Sequence, residues 1–275
     1  MRARARMRPR ALPTVSVVIP VKDDRDELER CLQALAAQTV LPHEIVVVDN
    51  GSSDGSTEVA LGFGVRVLAE SRPGIPAATS TGYDAARFDV IGRLDADSVP
   101  DARWVETIVT TFAARPELDA LTGPARFSDG PMFGRGVLAA LYLGAYRVTL
   151  GPALGHVPLF GSNLALRRRA WQEVRDRIHL DPELHDDLDL SFHLGIRHRI
   201  GWERRLRVSI SQRPLWSLSA LRIRFRRGFA TVFVHWPADL PWLRWRRIVR
   251  ARRTAARLGP GAGRLATGSA QRSAG

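Results

Sequence analysis

Six aspartates in this sequence stand where acid chemistry is possible. Asp95 and Asp97 flank Ala96 directly after the apolar run Val90–Leu94. Asp49 follows Ile45–Val48 and leads into Asn50-Gly51-Ser52-Ser53-Asp54-Gly55-Ser56, a cluster of turn and helix-capping residues. Asp186-Asp187 opens the helix-like stretch Asp186–Leu194. Two carboxylates two residues apart repel each other, and hard divalent cations bind through one or two carboxylates plus substrate phosphates, so Asp95 and Asp97 suit a metal-bridged diphosphate. An isolated D-x-D is more often a solvated turn; its place after a buried strand, with Asp49 ending another, reverses that preference. Asp186 and Asp187, read by themselves, suit a helix N-terminus, where carboxylates are favoured.

The elements that must hold these residues alternate along the chain. Val15–Ile19 reads as a strand ended by Pro20, Asp24–Gln38 as a helix, Ile45–Val48 as a strand, and Thr57–Leu61 as a short helix. Strand Val65–Leu68, helix Pro76–Ala86, strand Val90–Leu94 and helix Asp101–Ala113 follow. Buried β-branched runs alternating with helices predict an α/β fold, a mostly parallel central sheet with helices on both faces, and ligands bind beyond the carboxyl ends of such strands where the strand order reverses. After Leu118 the alternation weakens: Gly151–Ser162 reads as an irregular loop, Trp171–Arg177 and Asp186–Leu194 as short helices, and Trp202–Ser211 as a strand.

The runs Val15-Ser16-Val17-Val18-Ile19-Pro20, Ile45 to Thr57 and Arg93-Leu94-Asp95-Ala96-Asp97-Ser98 together resemble the family 2 glycosyltransferases. Gly161-Ser162-Asn163-Leu164-Ala165-Leu166-Arg167-Arg168 and Asp186-Asp187-Leu188-Asp189-Leu190-Ser191-Phe192 extend the likeness, which covers about residues 14–213. The resemblance implies a GT-A nucleotide-binding fold and inverting transfer from a UDP- or GDP-sugar. It implies that Asp49 meets the nucleotide base with Pro20 and Asp54 nearby, and that Asp95 faces the ribose and the metal. Asp97 is then the principal ligand of a Mg2+ or Mn2+ ion, Asn163 lies on the acceptor side, and Asp187 is the general base with Asp186 beside it.

Departures from the family pattern are specific. Ala77-Ala78-Thr79-Ser80-Thr81-Gly82 lacks the family's usual Arg and Asn, leaving Arg72 as a source of positive charge for the diphosphate. Gln212-Arg213-Pro214-Leu215-Trp216 lacks the arginine of the processive Q-x-x-R-W signature, which predicts a single transfer per binding event. His235 either completes the metal site, as a C-terminal histidine does in some GT-A enzymes, or packs beside Trp236. A polyprenyl phosphate is the alternative acceptor, and a non-catalytic membrane- or nucleic-acid-associated adaptor with the same fold is the alternative outside enzymes.

The charge is segregated. The net +13 of the 275 residues divides into +5 in residues 1–10, −9 in residues 11–191 and +17 in residues 192–275. A uniformly basic nucleic-acid binder is disfavoured by the acidic middle, and no nucleic-acid partner is expected. The expected organisation is a basic disordered arm (1–13), a catalytic domain (14–213, with a nucleotide half 14–100 and an acceptor half 101–213), a basic helical extension rich in Trp and Arg (214–258), and a disordered tail (259–275). Tryptophan favours membrane interfaces and arginine an anionic leaflet, so the extension suggests a peripheral enzyme at the cytoplasmic membrane face, acting on a glycan or lipid-linked acceptor of the cell envelope. Val137–Val148 is too short to span a bilayer. Cys31 is the one cysteine and falls on the apolar face Leu28, Cys31, Leu32, Leu35, where it reads as a buried hydrophobe in a reducing compartment.

Overall fold

The apolar run beginning at Val15 forms the centre of the molecule. In the computed structural model, which describes residues 11–128, 144, 148, 150–211, 218–236 and 238–258, it is strand β1 (Val15–Val21), buried at every position. Strand β2 (Glu44–Asp49) pairs with it in parallel on one side and β4 (Val90–Arg93) on the other, and β3 (Arg66–Ala69) extends the sheet beyond β2. The sheet reads β3-β2-β1-β4-β8-β6-β9. Strand β8 (Leu164–Arg167) runs antiparallel to both β4 and β6 (Ala120–Thr122), and β9 (Ile200–Trp202) returns parallel to β6. The order reverses between β2 and β4, on either side of β1, which opens a crevice beyond their carboxyl ends.

Period-two alternation along β1 divides the core into two layers. Val15, Val17, Ile19 and Val21 pack with Leu28, Cys31, Leu32 and Leu35 of α1 (Arg25–Ala36) and with Trp104, Ile108 and Phe112 of α4 (Trp104–Ala114). Val18 faces the other layer, formed with Ala78 and Tyr83 of α3 (Ile75–Ala85), Trp171 of α5 (Arg168–Val174) and Leu190 and Leu194 of α6 (Asp186–Leu194). Helix α3 lies close because it carries Gly82: a Cβ there would fall 2.3 Å from Val18 Cγ1 and 3.0 Å from Val48 Cγ2.

Pro20 lies inside β1 rather than ending it, since pairing continues to Val21↔Asp49. The β1–β4 ladder ends at Val18↔Arg93, so the N–H that proline lacks has no strand to meet at that height. The stretch Trp202–Ser211 is not one strand. It divides between β9 and β10 (Val208–Ile210), and β10 joins β5 (Val99–Pro100) and β7 (Ala125–Phe127) in a separate three-stranded sheet. Residues 151–154, expected in an irregular loop, are helical. The remaining short helix is α2 (Ser56–Gly62).

Two long helices close the described chain, α7 (Leu218–His235) and α8 (Pro241–Leu258). Helix α8 docks through Arg244, which is fully buried: its Nε donates to Leu154 O (2.8 Å), Nη2 to Ser191 O (3.2 Å), and the guanidinium lies over the Phe192 ring. Burial pushes the Arg244 pKa down to about 10, with Asp239 opposing, so it stays charged at neutral pH. Among the described residues no helix is long and apolar enough to cross a membrane. The expectations for residues 1–10, 212–216 and 259–275, and most of Val137–Val148, lie outside the described residues.

The loop after β3 is held by Asn50, whose Nδ2 donates to Glu70 O and Arg72 O while its Oδ1 accepts from Gly74 N. Arg72 holds the loop as well: its Nε and Nη2 reach the two oxygens of Glu70 at 3.0 and 2.8 Å. Arg72 and then Thr81 hold the Glu70 carboxyl down from 4.5 to about 2. A carboxylate depressed in the folded state contributes stability that is present above pH 4.5 and lost as pH falls toward 2. Glu70→Gln is therefore expected to lower Tm at pH 7 by a few degrees. The gap to the parent should narrow steadily below pH 4.5, as read by thermal unfolding across a pH series.

Candidate active site

The last residue of β4 is an arginine on an apolar face. Arg93 is 2% exposed, in the layer with Tyr83 and α6, and a buried cation must find anions. It finds two. Nη2 donates to Asp95 Oδ1 at 2.8 Å, and Nη1 makes a short ion pair with Asp186 Oδ2. The end of β4 is thereby joined to the first residue of α6, which lies 93 residues later in the chain.

The turn between Phe160 and β8 completes the joint. Ser162 Oγ donates to Asp95 Oδ2 (2.6 Å), and the Gly161 N–H donates to Asp187 Oδ2 (2.8 Å). A Cβ on Gly161 would sit 2.8 Å from Arg93 Nη1, so only glycine lets the backbone pass the guanidinium and still reach Asp187. Asp187 Oδ1 accepts from Leu188 N at 2.7 Å. Asp95, Asp186 and Asp187 thus form one cluster about one cation. Burial first, then the neighbouring charges of Asp187 and Asp95, raise the Asp186 carboxyl above the usual range against the pull of Arg93.

Asp95 and Asp97 bracket a tight turn closed by Ser98 N to Asp95 O (3.0 Å). Leu94, Ala96 and Ser98 are buried while Asp95 and Asp97 are half-buried. Their charge reaches Cys31, whose thiol is pushed far up by burial and then by Asp97 and Asp95. Two half-buried carboxylates two residues apart suit a Mg2+ or Mn2+ ion that keeps positions for phosphate oxygens. Both Asp95 oxygens already accept one hydrogen bond, and each retains a lone pair.

The other candidates are placed differently. Asp49 ends β2 with Oδ1 accepting from Ser52 N (2.9 Å) and Oδ2 from Thr57 Oγ1 (3.0 Å). Asp54 binds Ser56 through Oδ1 and Arg25 N through Oδ2 (2.8 Å), joining the start of α2 to that of α1. The Ser56 hydroxyl bond is the main cause of its lowered pKa. Neither aspartate has a hydrogen bond or ion pair to the Arg93 cluster. Asn163, expected on the acceptor side, is wholly buried, with Oδ1 accepting from Trp104 Nε1 (2.8 Å) and Nδ2 donating to Leu206 O (2.8 Å) and Pro124 O (3.1 Å). Every polar atom of its side chain is engaged inside the core, so it braces the Gly161–Ser162 turn. His235 meets Asp189 at 2.9 Å, a carboxylate outside the Asp95–Asp97 turn. Arg93 carried no expected role; the visible signal was one charged residue ending the apolar run Val90-Ile91-Gly92.

Comparison with known proteins agrees with this architecture. The chain matches the family model Glycosyl transferase family 2 over residues 16–174. It is 33% identical over 125 residues to the glycosyltransferase AglE of Haloferax volcanii, which is 42% of this chain and 41% of that protein. It is 30% identical over 113 residues to the uncharacterized glycosyltransferase EpsJ of Bacillus subtilis, 39% of this chain and 33% of that protein. The match therefore spans less than half the length of these curated relatives. Among solved structures, glucosyl-3-phosphoglycerate synthase of Mycobacterium tuberculosis, in complex with Mn2+, UDP and glucosyl-3-phosphoglycerate, superposes with a TM-score of 0.57 at 21% identity, covering 81% of this chain and 79% of that one. At that identity the likeness is one of fold, GT-A. With the matched segment running from β1 through α5, the chain belongs to glycosyl transferase family 2.

Proposed function

We propose that this chain transfers a glycosyl group from a nucleotide-diphosphate sugar to an acceptor hydroxyl, with inversion at the anomeric carbon and one transfer per binding event. The observation that carries this reading is the cluster in which Arg93, Gly161 and Ser162 tie Asp95, on the donor side, to Asp186 and Asp187, on the acceptor side. Donor and acceptor chemistry need carboxylates at a fixed separation, and this joint supplies it. Asp49, Asp54 and Pro20 line the nucleotide end, with Asp95 toward the ribose. A Mg2+ or Mn2+ ion held by Asp97 and Asp95 would neutralise the charge developing on the leaving diphosphate.

Asp187 acts as general base. A sugar hydroxyl is a poor nucleophile at neutral pH, so a carboxylate within hydrogen-bond reach must take its proton during attack. The two N–H bonds to Asp187 orient its carboxylate and leave lone pairs for that proton. Asp186, spent on Arg93, is a positioning residue. The Mn2+ and UDP-glucose in the complexes of the M. tuberculosis synthase support a nucleotide-sugar donor and a divalent cation here.

Calorimetry with UDP and GDP, with and without Mn2+, tests the reading. One nucleotide is expected to bind with strong Mn2+ dependence that Asp97→Asn removes. Asp187→Ala should leave that binding within about twofold while lowering nucleotide release from the sugar donor, with a membrane-lipid extract as acceptor, by at least ~100-fold. Near-normal turnover in Asp187→Ala would favour an acceptor that is already anionic, a polyprenyl phosphate. Binding of neither nucleotide would leave a non-catalytic adaptor.

We further propose that the enzyme works at the cytoplasmic face of the membrane, in cell-envelope glycan or glycolipid synthesis. Phe225, Phe229 and Phe233 recur every four residues along α7 and are each more than 60% exposed, with Trp236 continuing the row. Arg222 flanks them, and Trp242, Arg246 and Arg250 are exposed on α8, while the exposed Arg226 and Arg247 are paired with Glu183 and Asp239. Exposed aromatics interleaved with arginine suit an anionic lipid surface, where each arginine contributes roughly 1 kcal/mol. Deletion of both helices would remove the buried Arg244 as well, so substitution is the sharper test. Phe225, Phe229 and Phe233 all changed to serine is expected to reduce binding to anionic vesicles at least ~10-fold, and salt should weaken the parent. Equal binding of the parent to neutral and anionic vesicles would contradict the electrostatic part.

A further inference from the structure

Asp189 lies in the middle of α6 and is completely buried. A carboxylate withdrawn from water needs partners at both oxygens. Oδ2 takes the His179 N–H at 3.0 Å. Oδ1 faces three imidazoles at once: His179 Nδ1 at 2.7 Å, His235 Nε2 at 2.9 Å and His193 Nε2 at 3.6 Å. One ligand atom from each of these four residues lies within 4.8 Å of every other.

Hydrogen bonding alone leaves this arrangement incomplete. The 3.6 Å separation is beyond hydrogen-bond reach, and His193 Nε2 is buried with no hydrogen-bond partner. An orphaned ring nitrogen aimed at a carboxylate and two further ring nitrogens calls for something between them. A tetrahedral zinc ion with ligand bonds of about 2.0–2.1 Å separates its ligand atoms by about 3.3 Å, against 2.7–3.6 Å from Asp189 Oδ1 to the three ring nitrogens and no more than 4.8 Å between any two of the four ligand atoms.

We propose that His179, Asp189, His193 and His235 form a metal site for a transition dication of the zinc class, distinct from the Asp95–Asp97 pair. Three imidazoles with one carboxylate select zinc-class ions over Mg2+, which takes oxygen donors. Four protein ligands fill a tetrahedron, so the site is structural and keeps no position for substrate. The fold assembles it from three places. Asp189 and His193 stand four apart on one face of α6, His179 precedes that helix, and His235 ends α7 with its ring stacked on Phe192 at 4.2 Å. Metal there would staple α7, which carries the exposed phenylalanines, to the helix whose first two residues are Asp186 and Asp187.

The test uses the full chain, stripped with a chelator and re-equilibrated with Zn2+. Metal content is measured after gel filtration, the electronic spectrum is recorded after Co2+ substitution, and Tm is followed as zinc is added. About one zinc per chain, a visible band of four-coordinate cobalt and a rise in Tm are expected for the parent and for Asp97→Asn. Loss of all three is expected for His193→Ala and His179→Ala. His179 is on the accessible edge, so His179→Ala decides the matter should circular dichroism show His193→Ala unfolded. The proposal is overturned if the stripped parent retains no zinc, if both histidine variants retain it, or if Asp97→Asn loses it. These readouts do not involve nucleotide or turnover, so their failure leaves the transferase reading standing.

Discussion

One buried guanidinium organises the site. Arg93 is held out of water at the end of a central strand, and it stays there only because Asp95 and Asp186 supply opposite charge at contact distance. Removing one partner of such a pair costs about 3–5 kcal/mol, although replacing the whole pair with apolar groups is often neutral. What the pair secures is therefore position. Asp95 follows β4 and Asp186 begins α6, and nothing in their local sequence sets the distance between them. A third charged group, shared by both, does.

The rest of the structure serves that joint. The divergence of β4 from β1 after Arg93 opens the crevice and lets Pro20 sit in a central strand. Gly161 and Ser162 pass the guanidinium closely enough to hold Asp187 and Asp95, and Asn163 fixes their approach by bonding Trp104 and two carbonyls in the core. Behind α6, the buried Arg244 of α8 repeats the device on a smaller scale: it bonds Ser191 O from a helix whose outer face is exposed and basic. The segregated charge has a corresponding physical division, with arginines that lock elements together inside and arginines that face outward along α7 and α8.

Much of this was legible before the structure. The apolar runs and their turn residues located the parallel half, because period-two burial and capping chemistry are local properties, and the acidic motifs stood out because each follows a strand or opens a helix. The antiparallel insertion of β8 between β4 and β6 was not legible, since strand neighbours far apart in sequence leave no local trace. The bonds of Asn163 to Trp104, Leu206 and Pro124 were not legible either, because those partners lie about 40 to 60 residues away in sequence. Arg93 was hidden inside a motif read for its aspartates. The imidazoles around Asp189 were invisible as a set, because His179 and His235 lie 56 residues apart and meet only through the docking of α7 on α6.

The most direct measurement is a double-mutant cycle in urea unfolding with Arg93→Met, Asp186→Leu and the two combined. If Arg93 is the shared constraint, each single change destabilises by about 3–5 kcal/mol. The double variant should then recover at least ~1 kcal/mol relative to their sum. Additivity within about 0.5 kcal/mol would mean that the two residues do not depend on each other, and would contradict the account in which that arginine fixes Asp95 and Asp186 relative to each other.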